Sequence, residues 1–164
     1  MSAQDGLARA DEHAGWLVAE LTRLRQTVAT AESLTAGLVC ATITRVPGAS
    51  AVLRGGLVVY ATDLKHSLAG VDSRLLADHG AVHPEVAAQL AEGALHRCGA
   101  DWGLGLTGVA GPEPQDGAEP GTVYVALAGP GVRVVRTLHL PGGREEVRAG
   151  SVTCALALLR EHVR

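Results

Sequence analysis

Residues 27–43, Thr27-Val28-Ala29-Thr30-Ala31-Glu32-Ser33-Leu34-Thr35-Ala36-Gly37-Leu38-Val39-Cys40-Ala41-Thr42-Ile43, change character twice. The first five are small or β-branched and carry no charge, which suits a short strand buried on both faces. The apolar run from Leu38 to Ile43 suits a helix that stops before Pro47-Gly48. A buried strand feeding straight into a helix is the building unit of an α/β domain. Ser33 sits at that junction and has two readings. Its hydroxyl can cap the helix, or it can act beside backbone N–H groups that bind a phosphate or an oxyanion. At an isolated junction the cap is the commoner use.

Outward from this stretch the same alternation continues. Upstream, Leu7, Ala10, Ala14, Leu17, Val18, Leu21 and Leu24 recur at helical spacing, with Asp11, Glu12, Glu20 and Arg23 on the other side. Downstream, a second strand is expected over Gly56 to Ala61. A short helix follows over Ser73 to Ala77, with Ser73 as its N-cap, and a longer one over Glu85 to His96, with Pro84 in its first turn. Leu104 to Thr107 reads as a third strand leading into a polar loop that runs to Gly121. Thr122 to Ala128 and Val132 to Leu140 flank Gly129-Pro130-Gly131 as a hairpin, and a last helix starts near Glu145. The expected fold is α/β: one domain over 1–164, three layers α/β/α, with a mixed, mainly parallel sheet of about five strands and a late antiparallel hairpin.

Composition narrows the function. The chain has no Phe, two Trp and two Tyr, so Val, Leu and Ala must fill the core. Its net charge of −3 and scattered arginines offer no basic stripe, which argues against nucleic acid as a partner. Cys40, Cys98 and Cys154 are far apart with no CxxC, as expected of free thiols in a reducing cytosol. His79 and His83 are close, but no carboxylate or third ligand joins them at ligand spacing, so no metal is expected. No apolar run reaches the ~18 residues of a membrane span, and the N-terminus has no apolar signal core. A cytoplasmic protein with no membrane partner is the expectation.

One lysine stands out. Of the fourteen basic residues all but Lys65 are arginine. Arginine supplies charge but cannot release its proton near neutral pH, so a lone lysine marks a place where a deprotonatable amine is useful. Compositional drift with one chance survivor is the plainer alternative. Lys65 follows Tyr60 by five residues, just after the second strand. A Ser, a Lys and a Tyr on neighbouring loops are the parts of a Ser–Lys hydrolase: nucleophile, base and proton relay. The loop Thr107-Gly108-Val109-Ala110-Gly111-Pro112 is glycine-rich after a strand but lacks a nucleotide-fingerprint spacing.

Together these segments resemble one family. Glu-Ser-Leu-Thr-Ala-Gly at 32–37, Arg-Gly-Gly-Leu-Val-Val-Tyr at 54–60 with Lys65, and Leu-Ala-Gly-Val at 68–71 carry the resemblance. So do His-Gly-Ala-Val at 79–82, Thr-Gly-Val-Ala-Gly-Pro at 107–112, Gly-Thr-Val at 121–123 and Pro-Gly-Gly-Arg at 141–144. They are similar, in order, to the CinA C-terminal domain family, the PncC-type nicotinamide mononucleotide amidohydrolases, in a stand-alone form. The resemblance implies hydrolysis of the carboxamide of nicotinamide mononucleotide to nicotinate mononucleotide and ammonia, with no cofactor. It implies Ser33, Lys65 and Tyr60 as catalytic residues. Thr35, Ala36, Gly37, Arg54, Thr107, Gly108 and Arg144 are the expected substrate contacts, with Arg54 and Arg144 for the phosphate. A homo-oligomer is expected.

The chain departs from the family pattern in places. Where the family has Ser-Cys-Thr-Gly-Gly, this chain has Ser33-Leu34-Thr35-Ala36-Gly37, and Ala36 adds a methyl where backbone is expected to approach the ligand. The 113–121 loop lacks the family's lysine, and His83 replaces a serine at a helix start. These departures leave a second reading open: a catalytically weak or inactive nucleotide-binding or protein-interaction module.

Overall fold

Strand β1 (Val28–Glu32) is buried along its whole length, because it has a strand on each edge and a helix layer on each face. The computed structural model describes residues 1–164. The remaining strands are β2 (Leu53–Val58), β3 (Trp102–Gly108), β4 (Thr122–Gly129) and β5 (Val132–His139). The helices are α1 (Ala3–Leu24), α2 (Leu38–Thr44), α3 (Thr62–Ser67), α4 (Ser73–His79), α5 (Pro84–Cys98) and α6 (Arg144–His162), with a 3₁₀ turn at Ala49–Ala51. The sheet runs β2-β1-β3-β4-β5. β1 pairs in parallel with β2 and β3, whereas β3–β4 and β4–β5 are antiparallel. Four of the five strands therefore point the same way.

Side-chain alternation divides the core. Val28 of β1, Leu104 and Leu106 of β3, and Val123, Val125 and Leu127 of β4 face α1, α2 and α6 in the main cluster. Ala29 and Ala31 face Val86, Leu90 and Ala94 of α5 on the other side. Small residues let α5 lie close: a Cβ on Gly103 or Gly105 of β3 would collide with the α5 backbone at Ala91 or Ala87. The scarcity of aromatics is thus met by a thin Ala/Gly interface on one face and a Leu/Val layer, with Trp102, on the other.

Element types match the expectations, with shifts at boundaries. The second strand begins at Leu53 and ends at Val58, ahead of the expected span, and Lys65 lies on a short helix, α3, rather than on a loop. Asp72, not Ser73, caps α4, because its carboxylate accepts the Arg74 N–H at 2.7 Å. His83 does cap α5: its Nδ1 accepts the Glu85 N–H at 3.1 Å. No helix is long and apolar enough to cross a membrane.

Candidate active site

In a sheet of order 2-1-3-4-5 the crevice opens beyond the C-terminal ends of β1 and β3, where the connections diverge to opposite faces. A cavity of about 450 Å³ lies there. Ser33, Tyr60, Thr107, Gly108 and Arg144 line it, together with Ala81, Val82, Glu113 and Gln115. Residues far apart in sequence meet because each closes or follows a strand, or lies at the start of a helix, at the same rim.

Ser33 is 8 % exposed, and no protein group hydrogen-bonds its hydroxyl. Its N–H donates to Leu106 O at 3.1 Å, the last rung between β1 and β3. The next rung would run from Gly108 N–H to Ser33 O, but Ser33 O accepts the Ala36 N–H at 3.0 Å instead. Val109 N–H donates to Thr122 O at 2.9 Å on the β4 side, so ladder alternation turns Gly108 N–H back towards Ser33, with no acceptor. Leu34 N–H is also without a protein acceptor. Ser33 is therefore bracketed by two open backbone donors, the arrangement that stabilises an oxyanion.

The start of α2 provides neither the Ser33 cap nor the open anion site that the sequence allowed there. Glu32, 1 % exposed, turns its carboxylate onto that helix end and accepts Val39 N–H at 2.9 Å and Cys40 N–H at 3.2 Å. Thr30 Oγ1 donates to the same carboxylate at 3.0 Å. A carboxylate supplied by the chain already satisfies the positive helix end, so a substrate phosphate has no place on it. Ser33 consequently does not cap the helix either.

Lys65 does not line the cavity, but its amine binds the backbone of Tyr60, which does. It is 1 % exposed, and its Nζ donates to Val59 O at 2.8 Å and Tyr60 O at 3.2 Å. Burial pushes its ammonium down from 10.5 to about 8, while the Asp116 carboxylate partly opposes the shift. A neutral lysine has two N–H donors and one lone pair. With both donors on carbonyls, the lone pair is the remaining position. No hydrogen bond joins Nζ to Ser33 Oγ in this structure.

The Tyr60 hydroxyl is hydrogen-bonded to neither Ser33 nor Lys65. It accepts from Arg144 Nη2 at 2.9 Å, and the Tyr60 backbone oxygen, rather than the ring, touches Lys65. Tyr60 is 57 % exposed at the rim. Arg144 Nη1 also donates to Gly111 O at 2.7 Å, which fixes the guanidinium at the cavity edge with donors to spare. Thr107 is buried and its hydroxyl donates to Ala81 O at 2.7 Å, tying the loop before α5 to β3.

The other expected substrate contacts lie elsewhere. Arg54 is at the start of β2, the opposite end of the sheet, where its Nε donates to Cys98 O at 3.0 Å. Thr35, Ala36 and Gly37 do not line the cavity. Thr35 is fully buried, whereas Ala36 is exposed with φ +48° and Gly37 has φ +94°. Ala36 therefore lies outside the cavity, and its cost is backbone strain.

Three contributors were not among the expected site residues. Glu32 precedes the serine like any strand-end residue. Asp116, in the 113–121 loop, accepts Ala81 N–H at 2.8 Å and lies against Gly80. Arg148, among thirteen arginines, donates from Nε to Leu34 O at 2.9 Å and from Nη2 to Thr35 O at 3.3 Å. Asp116 and Arg148 act through contacts far along the chain, and Glu32 through one that crosses the turn after β1, none of which a fixed spacing encodes.

Comparison with known proteins agrees with this architecture. The family model of the CinA C-terminal domain matches residues 10–163. A CinA-like protein of Frankia casuarinae is 47% identical over 150 residues, covering 92% of this chain and 35% of its own length. One from Mycobacterium marinum is 48% identical over 146 residues, with 88% and 34% covered. The chain thus spans about a third of the length of these curated relatives. The crystal structure of competence/damage inducible protein CihA from Agrobacterium tumefaciens superposes with TM-score 0.90 at 33% identity, covering 93% of this chain and 94% of that one. A CinA superfamily protein from Escherichia coli gives 0.89 at 30% identity, with 93% and 89% covered. On fold, motif order and identity, this chain belongs to the CinA C-terminal domain family.

Proposed function

We propose that the chain hydrolyses the carboxamide of nicotinamide mononucleotide, releasing ammonia and nicotinate mononucleotide, with Ser33 as nucleophile and Lys65 as base. The observation that carries this reading is the chain's single lysine: buried, bound to the backbone of Tyr60 in the pocket that Ser33 lines, with its ammonium pushed down to about 8. Neutral Lys65, its two N–H bonds directed to Val59 O and Tyr60 O, takes the Ser33 proton on its lone pair. Ser33 Oγ bonds to the amide carbon, and the developing oxyanion is received by Leu34 and Gly108 N–H. The C–N bond then breaks as Lys65 returns the proton to the departing nitrogen, leaving an ester on Ser33. Water cleaves that ester by the same route and restores the serine. Arg144, at the cavity edge, takes the substrate phosphate.

The test is ammonia release from nicotinamide mononucleotide by the purified protein. Ser33→Ala and Lys65→Ala should each reduce it to background while retaining the wild-type circular dichroism spectrum. Full activity in either variant sinks the mechanism. Nicotinamide riboside should be poorer by at least about tenfold in kcat/KM, or ~1.4 kcal/mol of transition-state binding. Equal values for the two compounds would remove Arg144 from phosphate recognition. The absence of a Ser33–Lys65 hydrogen bond favours one other reading, a nucleotide-binding module without turnover. Calorimetric binding of the mononucleotide with no ammonia released would select it.

A further inference from the structure

Ser33 to Ala36 form a turn closed by the Ala36 N–H to Ser33 O bond. Its central peptide, between Leu34 and Thr35, is the unit whose flip interconverts the two common turn types. Two features make this turn prone to rearrange. It leads through Ala36 at φ +48°, a left-handed conformation that costs a non-glycine residue free energy, into Gly37 at φ +94°. Thr35 is also fully buried, and its Oγ1 has no hydrogen-bond partner.

Apart from the closing bond and the Leu38 N–H to Thr35 O bond into α2, the carbonyls of this turn have one partner, Arg148. Arg148 is half-buried on the first turns of α6, more than a hundred residues along the chain. Its Nε takes Leu34 O and its Nη2 takes Thr35 O, so one planar fork grips two successive peptides. In a trans peptide the N–H points opposite to the C=O. Holding Leu34 O on Arg148 therefore fixes the direction of Thr35 N–H and blocks the flip of the central peptide. The same grip holds the turn from which Leu34 N–H and the Ser33 hydroxyl project.

We infer that Arg148 is the positioning residue of the nucleophile turn: it locks the 34–35 and 35–36 peptides so that Ser33 and its neighbouring backbone donors stay aligned for attack. Arg148 does not line the cavity. Its contribution is to turnover rather than to substrate affinity. This rests on the amidase reading above, but the lock itself is measurable without any reaction.

The first measurement is amide hydrogen exchange of Arg148→Ala and Arg148→Lys against wild type. Exchange of residues 33–37 should rise at least about tenfold in Arg148→Ala, while that of β1 stays as in wild type. Lysine offers a single point donor in place of the fork, so Arg148→Lys should fall between the two. The second measurement is steady-state hydrolysis of nicotinamide mononucleotide. kcat should fall at least tenfold in Arg148→Ala with KM within about threefold, and added guanidinium ion should restore part of the lost kcat. Unchanged exchange at 33–37 would overturn the inference. So would an activity loss that merely follows a loss of folded protein, seen as faster exchange throughout β1. Faster exchange confined to 33–37 in a protein that releases no ammonia would uphold the lock and reject the amidase reading, so the two failures are separable.

Discussion

At the scale of single residues the decisive question is what Lys65 does with its proton. Its amine is buried, which penalises the ammonium, and its two carbonyl partners leave a lone pair on the neutral form. A guanidinium retains its charge throughout, so Lys65→Arg should be nearly as inactive as Lys65→Ala. An arginine variant within a few-fold of wild type in kcat would reduce Lys65 to an electrostatic anchor. Because the ammonium titrates near 8, kcat/KM for the wild type should climb with pH and level off above that value as the free amine fills. A profile flat from pH 6.5 to 9.5 would contradict a lysine base. The lone lysine was legible in composition, but the amine's two carbonyl partners and the diversion of the Tyr60 hydroxyl to Arg144 were not. Both depend on how the chain after β2 bends back over the end of the sheet.

At the scale of elements the helix starts are instructive. α2 has no side-chain cap at Gly37, and its open N–H groups are taken by Glu32 from the preceding strand. A capping contact that crosses a turn in this way has no fixed sequence spacing, so the helix start looked free for a ligand. α4 is a smaller case of the same ambiguity, because Asp72 and Ser73 are both good caps by type. The hydrogen bond from Arg74 N–H to Asp72 decides it. Asp72→Ala should cost about 1 kcal/mol of unfolding free energy, and Ser73→Ala only a few tenths. Urea denaturation of the two variants checks this, and equal losses would argue against the Asp72 cap.

At the scale of the whole molecule, buried Lys65 and half-buried Cys40 make stability depend on pH with opposite signs. Lys65 titrates near 8 in the folded chain and at 10.5 when unfolded. Between these values the unfolded chain binds more protons, so stability rises with pH; below 8 the full cost of burying the ammonium, about 3 kcal/mol, is present. Cys40 does the reverse. Burial raises its thiol from 9.0 to about 11, so the folded chain keeps a proton that the unfolded chain loses, and stability falls across that range. Unfolding free energy should therefore rise by about 1 kcal/mol from pH 8 to 9 and then flatten. Urea titrations of wild type and Lys65→Met test this: the difference between the two curves should shrink as pH passes 8. A constant difference would show that Lys65 is not held as a destabilised ammonium.

The amino-acid sequence by itself determined the layer architecture, the type of nearly every element, and five cavity-lining residues: Ser33, Tyr60, Thr107, Gly108 and Arg144. Hydrophobic periodicity is local and the motifs lie at strand ends, where the topology of an α/β sheet gathers them at one rim. Tertiary structure alone decided the partners. It sent Arg54 to the far end of the sheet and joined Arg148 of α6 to the turn after β1. The physical reason is range. Helix and strand preferences act over a few residues, whereas a hydrogen bond between side chain and backbone across the sheet depends on strand order, register and layer spacing, which exist only once the whole chain has packed.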